Sequence, residues 1–182
     1  MNMVTSLETE RLLLSSWSRK DSEALYAYAK NPNVGPHAGW KPHESRRESK
    51  RIIRQLFLST ITWKITWKAT GQIIGSIGLE DDRHRPLIAS KEMGYSLDET
   101  FWGRGVMTEA GEAIMDYAFS SLNLDILSVQ TGLTNARSQR VIEKLGFQYE
   151  GTLRQTYRVY DGSVRDAMVY SITREEWEEK KR

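Results

Sequence analysis

The stretch Phe101-Trp-Gly-Arg-Gly-Val-Met-Thr-Glu-Ala110 decides how the chain is read. Before it, Lys91-Glu-Met-Gly-Tyr-Ser-Leu97 reads as a strand. After it, Val106, Ala110, Ala113, Ile114, Tyr117 and Ala118 recur at helical spacing and form one apolar face. A Gly-x-Gly turn thus joins a strand to a helix N-terminus. Gly103 and Gly105 carry no Cβ, so the backbone can take unusual dihedrals and a ligand can come close. The first N–H groups of a helix lack internal partners, and the dipole there favours negative charge. Together these make a phosphate cradle of main chain. A glycine turn without a ligand is the plainer alternative, because such turns are common. Two familiar phosphate loops do not fit. There is no G-x-x-x-x-G-K-[ST], and Thr108 stands where G-x-G-x-x-G needs its third glycine.

The rest of the composition narrows the class. A chain of 182 residues can bury one real core, and it is expected to form a single domain. Hydrophobic content of 39% with 27% charged residues suits a soluble globular protein rather than a disordered one. No apolar run approaches the roughly 20 residues of a membrane span. The N-terminus shows no basic region followed by an apolar core, so neither a membrane segment nor a signal peptide is expected. The absence of cysteine excludes disulfides, thiolate metal sites and a cysteine nucleophile, and fits a cytoplasmic location. A net charge of +2 is too balanced to argue for direct nucleic-acid binding through bulk charge.

Moving outward from the glycine turn, Glu8 to Trp17 reads as a first strand with Leu12 and Leu14 on one face. Ser18 with Asp21 forms a capping-box variant before a helix that turns Leu25, Tyr28 and Ala29 inward. Asn31-Pro32 ends that helix. The stretch from Asn31 to His43 holds three of the four prolines, Trp40, His37 and His43. A loop this long without periodicity points to a substrate wall anchored by Trp40. His37 and His43 lack cysteine or carboxylate companions at ligand spacing, so no metal is expected. Ser45 to Leu58 reads as a helix with Ile52, Ile53, Leu56 and Phe57 inward and a basic outer face. A hairpin crosses Ala69-Thr-Gly71, and Ile88 to Leu97 forms the next strand. Asp125 to Thr131 is β-rich, Asn135 to Leu145 is a helix ended by Gly146, and Asp161-Gly162 turns a final hairpin. Thr173 caps a tail helix from Arg174 to Lys180. The order argues a mixed α/β (α+β) domain with helices packed on a twisted sheet.

A second motif lies downstream: Thr134-Asn-Ala-Arg-Ser-Gln-Arg-Val-Ile-Glu-Lys-Leu-Gly-Phe147. With Tyr95-Ser-Leu and Trp102-Gly-Arg-Gly-Val-Met-Thr-Glu-Ala, the chain resembles the GNAT acetyltransferase superfamily. It is most similar to the Rim-type branch, whose best-known members acetylate N-terminal amines of ribosomal proteins. The resemblance implies the GNAT fold: a central twisted, mostly antiparallel mixed sheet with a splayed strand pair, flanked by helices. It implies acetyl-CoA as co-substrate and a primary amine as acceptor, either a protein N-terminus or a small molecule such as an amino acid, polyamine or antibiotic. A non-catalytic acyl-CoA-binding module is the competing class, and a homodimer stays open.

By the same resemblance, Trp102, Gly103, Arg104, Gly105, Val106, Met107 and Thr108 bind the pyrophosphate. Trp102 stands where many members carry Gln or Arg, but a main-chain cradle needs only N–H groups. Tyr95, Ser96 and Leu97 pair with the pantetheine arm in the fork of the splayed strands. Asn135 meets that arm, and it is also a plain N-cap candidate. Many members place an acid tyrosine four residues before the Gly-Phe, and here that position is Ile142. The Rim-type resemblance puts the acid role on Ser138, one turn after Asn135. Glu92 shares a strand face with Gly94 and Ser96, and comparable glutamates act as bases elsewhere in the superfamily. An N-terminal α-amine titrates near pH 8, so a water could serve as base instead. Trp40, His37 and His43 are the expected acceptor-binding residues.

Overall fold

The structure is a computed structural model and describes residues 4–182. The first strand expected from Glu8 to Trp17 is two strands. Leu7–Glu8 (β1) folds back on Leu12–Ser16 (β2), with Leu7 opposite Leu14. The reversal uses neither glycine nor proline. Thr9 Oγ1 accepts the Leu12 N–H, and Thr9 N donates to the Leu12 carbonyl. A threonine turn of this kind leaves little trace in a sequence.

Ser18 and Asp21 form the expected capping box, around a 3₁₀ turn that leads into Ser22–Ala29 (α1). Ser45 caps Arg46–Ile52 (α2) by accepting the Glu48 N–H. The second half of the helix expected there is a π-turn, Ile53–Phe57. Then come Ile61–Trp67 (β3), Gln72–Asp81 (β4), Ser90–Leu97 (β5) and Val106–Ser120 (α3). Ile126–Gly132 (β6), Ala136–Leu145 (α4), Gln148–Arg158 (β7), Val164–Thr173 (β8) and Arg174–Lys180 (α5) complete the chain. Gly146 takes φ +87° after α4, the left-handed C-cap that glycine tolerates.

The strands form one sheet in the order β1-β2-β3-β4-β5-β6-β8-β7. Every neighbouring pair is antiparallel except β5 and β6. That parallel pairing starts with Ser90 opposite Ile126 and stops at Met93 opposite Val129. Both strands continue beyond it, to Leu97 and Gly132, so the sheet forks at this point.

Side chains alternate across the sheet, and each face has its own cluster. Met93, Leu97, Leu127 and Val129 pack with Val106, Ala110 and Ile114 of α3 and with Ile142 and Leu145 of α4. The opposite face carries Trp17, Leu25, Tyr28, Val34 and Ile53. A Cβ on Gly111 would lie 2.6 Å from Leu145 Cδ1, so α3 and α4 approach closely because that position is glycine. No helix among the described residues is long and apolar enough to cross a membrane.

Candidate active site

The fork opens into a cleft of about 360 Å³. Its floor is the glycine turn. Gly103 and Gly105 have φ of +74° and +73°, a region that side chains with a Cβ rarely enter. Gly105 is the N-cap of α3 and offers no side chain to the first amides, so Val106, Met107 and Thr108 present N–H groups at the cleft wall. A Cβ on Gly103 would meet nothing within 4 Å among the described residues, which leaves room for an anion there. Arg104 is not on the wall. Its carbonyl accepts from Arg11 Nη1 at 3.0 Å, and its guanidinium lies over the Phe101 ring. Arg11 is in turn held by Glu109 of α3, at 2.6 Å from Nε to Oε2. The glycine turn is therefore braced from the reversal between β1 and β2.

The β5 arm supplies hydrogen-bonding groups. Asp98 N donates to Ile74 O, so by antiparallel alternation Ser96 and Gly94 bond to β4. The main-chain groups of Tyr95 and Leu97 then turn toward the fork. The Leu97 carbonyl is occupied, because the Trp102 indole N–H donates to it at 3.0 Å. This gives Trp102 a structural duty that the motif did not announce. The Ser96 side chain lies on the opposite face, 3.0 Å from Ser76 Oγ and 3.4 Å from Tyr28 OH.

The helix α4 starts over the fork. Asn135 Oδ1 accepts the Ser138 N–H at 3.2 Å, so the capping role is realised, and both residues line the cleft. Ser138 Oγ lies 2.8 Å from Tyr95 OH. Arg140 and Lys144 add positive charge to the same wall. Across the fork, Thr131 shares a face with Tyr95, and its Oγ1 is buried with no hydrogen-bond partner among the described residues.

The third wall is the loop before α2, where Gly35–Ala38 forms a 3₁₀ turn. His37 lines the cleft, but Trp40 and His43 do not. Trp40 packs on the smaller core cluster, and a Cβ on Gly35 would fall 2.4 Å from its ring. His43 Nδ1 pairs with Ser49 Oγ at 2.8 Å. Arg137, which the sequence reading did not single out, bridges loop and turn. Its guanidinium lies 4.0 Å from the Trp102 ring centroid and its Nη2 is 3.3 Å from His37 Nε2. Burial lowers the His37 pKa, and the charges of Arg137 and Arg165 lower it further, so the neutral ring can accept a hydrogen bond from Arg137.

Glu92 lies off the cleft wall, on the sheet face opposite Tyr95. Burial raises its carboxyl above the usual range, and the charges of Asp82 and Glu80 add to this. Gln130 Nε2 donates to it at 2.8 Å and works the other way. Next to it, a Cβ on Gly94 would meet nothing within 4 Å among the described residues, so the face between Glu92 and Ser96 is open.

An amide-rich turn at a helix N-terminus, with a forked parallel pair above it, suits a phosphate-bearing co-substrate with an extended arm. The chain belongs to the GNAT acetyltransferases: residues 11–148 match the Acetyltransferase (GNAT) domain. It is similar to the uncharacterized N-acetyltransferase YoaA of Bacillus subtilis, 33% identical over 94% of this chain and 98% of that one. A ribosomal-protein-serine acetyltransferase of Escherichia coli is 32% identical over 46% of each chain. A putative acetyltransferase from T. thermophilus superposes with a TM-score of 0.85 at 27% identity, covering 96% of this chain and 92% of that one. GNAT domains use acetyl-CoA. The open glycine turn, with Arg140 and Lys144 on the same cleft wall, fits such a co-substrate.

Proposed function

We propose that this N-acetyltransferase acts on the N-terminal amine of a protein. The observation that carries this reading is the open face over Gly94, bounded by the half-buried Glu92. It lies across the sheet from Ser138, so an extended chain end and the co-substrate can reach the fork from different sides. The ribosomal-protein relative supports the same acceptor class.

Bound acetyl-CoA supplies an activated thioester carbonyl. The amides of Val106, Met107 and Thr108, with Gly103 and Gly105, hold its pyrophosphate, and Arg140 and Lys144 balance the phosphate charge. The Tyr95 main chain and the Leu97 N–H orient the arm as a strand would be oriented. Asn135 holds the start of α4 over it, and Ser138 donates a hydrogen bond to the leaving sulfur. Glu92 or a water it orders takes the amine proton. A protein α-amine titrates at about 8, so a useful fraction is already neutral near pH 7. His37 contacts the acceptor, while Trp40 and His43 hold the loop that carries it.

The test is a screen with acetyl-CoA against ribosomal-protein N-terminal peptides, free amino acids, polyamines and aminoglycosides. Preferred turnover of peptides, with the label on the α-amine, supports the reading. A small amine that outcompetes every peptide overturns it.

A further inference from the structure

The position that many relatives use for an acid tyrosine is Ile142 here, and it is fully buried in the core. The structure nevertheless places a phenol at the fork, from a different element. Tyr95 OH lies 2.8 Å from Ser138 Oγ and 3.4 Å from the Ser138 carbonyl. The Ser138 main chain is held beside it, because its N–H is tied to Asn135 Oδ1. An isolated serine hydroxyl is a weak donor with a freely rotating proton. Two coupled hydroxyls polarise one another, and the second fixes the direction of the first.

We propose that Tyr95 is a positioning residue that donates its hydroxyl proton to Ser138 Oγ, aiming and polarising the Ser138 O–H toward the sulfur that leaves. This rests on the acetyl-transfer reading of Ser138. At rest the Ser138 proton can point at Tyr95. When negative charge develops on sulfur, the pair reverses: Ser138 donates to sulfur and Tyr95 donates to Ser138.

Magnitudes decide how far the proton goes. Burial pushes the Tyr95 phenol up to about 12, although the Ser138 hydrogen bond works to lower it. A thiol titrates near 8.5. Tyr95 therefore keeps its proton, and the pair stabilises a thiolate without protonating it. In the balanced step, the amine nitrogen bonds to the carbonyl carbon and the C–S pair leaves on sulfur. The amine proton passes to Glu92 or water, and the thiolate takes its proton from water on release.

The readout is the thiol pKa of free coenzyme A bound to the enzyme, followed by thiolate ultraviolet absorbance, together with acetyl-transfer kinetics. Tyr95→Phe keeps the ring and removes only the donor. We expect it to raise the bound thiol pKa by about half to one pH unit, which is the same about three- to tenfold by which kcat should fall. The KM for acetyl-CoA should stay unchanged, and Tyr95→Phe should add little to Ser138→Ala in the double variant. Additive losses, or an unmoved thiol pKa at an unchanged melting temperature, overturn the proposal. If Ser138→Ala itself leaves the thiol pKa and kcat unchanged, the underlying role of Ser138 fails. If only Tyr95→Phe is silent, the Tyr95 inference fails alone. Should Tyr95→Phe melt early, Ser138→Thr, which keeps the hydroxyl, tests the pair by rescue.

Discussion

Met93 lies opposite Val129 at the last step of the one parallel pairing in the sheet, and the fork begins there. This relationship places the site. The next residues with the same facing, Tyr95 and Thr131, carry hydroxyls on the two arms. The helix that starts beyond Thr131 brings Ser138 to 2.8 Å from Tyr95. The opposite face of the same strand carries Glu92, one residue before the fork and opposite Ser128. The fork therefore joins two chemically different surfaces.

If the glycine turn holds the co-substrate as proposed, Gly105 governs its affinity. Replacing Gly105 with Val places a β-branched side chain at φ +73°, a left-handed region that costs about 1–2 kcal/mol for an ordinary residue. The amides of α3 would lose their alignment. Calorimetry should show acetyl-CoA binding weakened at least about tenfold in the folded variant, or about 1.4 kcal/mol. Unchanged affinity with an intact fold would reject the main-chain cradle.

The brace beneath that turn responds to acid. Burial works to raise the Glu109 carboxyl, but hydrogen bonds from Thr9, the Arg11 N–H and the Arg11 guanidinium outweigh it and hold the pKa below 4.5. A lowered folded pKa gives stability that is fully present above pH 4.5 and is lost as pH falls through the folded value. Glu109→Gln should cost about 1–2 kcal/mol at neutral pH, a modest figure because the Arg11 side chain is 37% exposed. The variant should also show a shallower loss of melting temperature below pH 4.5 than the wild type. Parallel melting curves across that range would contradict this.

Glu92 has the opposite sign. Its raised folded pKa means that its contribution to stability declines as pH rises from 4.5 through the folded value. Glu92→Gln should leave neutral-pH stability unchanged or raise it. If the carboxylate takes the amine proton, kcat should fall about 10²–10⁴-fold and the acid limb of the kcat profile should disappear. A variant with near-normal kcat and the same acid limb assigns the proton to water.

The loop before α2, proposed to carry the acceptor contact, can be tested at Gly35 and Trp40. A Cβ on Gly35 would meet the Trp40 ring at 2.4 Å and the Trp40 carbonyl at 2.6 Å. Gly35→Ala should cost about 1–3 kcal/mol by overpacking and displace His37. Trp40→Ala should lower the melting temperature and alter the acceptor KM, leaving acetyl-CoA affinity nearly unchanged. A melting loss with normal acceptor kinetics would make Trp40 a core plug only.

Local chemistry made much of this legible from sequence. Gly103, Gly105 and Gly146 sit where backbone requires left-handed dihedrals, and Ser18, Asn135 and Thr173 all cap helical segments. The Asp161-Gly162 hairpin is present, with Gly162 at φ +87°. What stayed hidden depends on distant partners. The break between β1 and β2 is a threonine turn that also leans on Glu109, 100 positions away. The insertion of β8 between β6 and β7 is a tertiary choice that no local pattern encodes. Tyr95 was readable as a strand residue at the fork, but its contact with Ser138 spans 43 positions. Arg137 sat inside the quoted downstream motif, yet its role comes from Trp102 and His37, which the fold brings to it.

The central claim is that amine acetylation passes through the fork under Ser138. The most direct measurement is the rate of thiol release from acetyl-CoA, with and without an acceptor peptide, in wild type and Ser138→Ala. The expected result is amine-dependent release by the wild type, and in Ser138→Ala a kcat lowered about tenfold or more with little change in the acetyl-CoA KM. Equal kcat in the two proteins, or a change confined to KM, would contradict it.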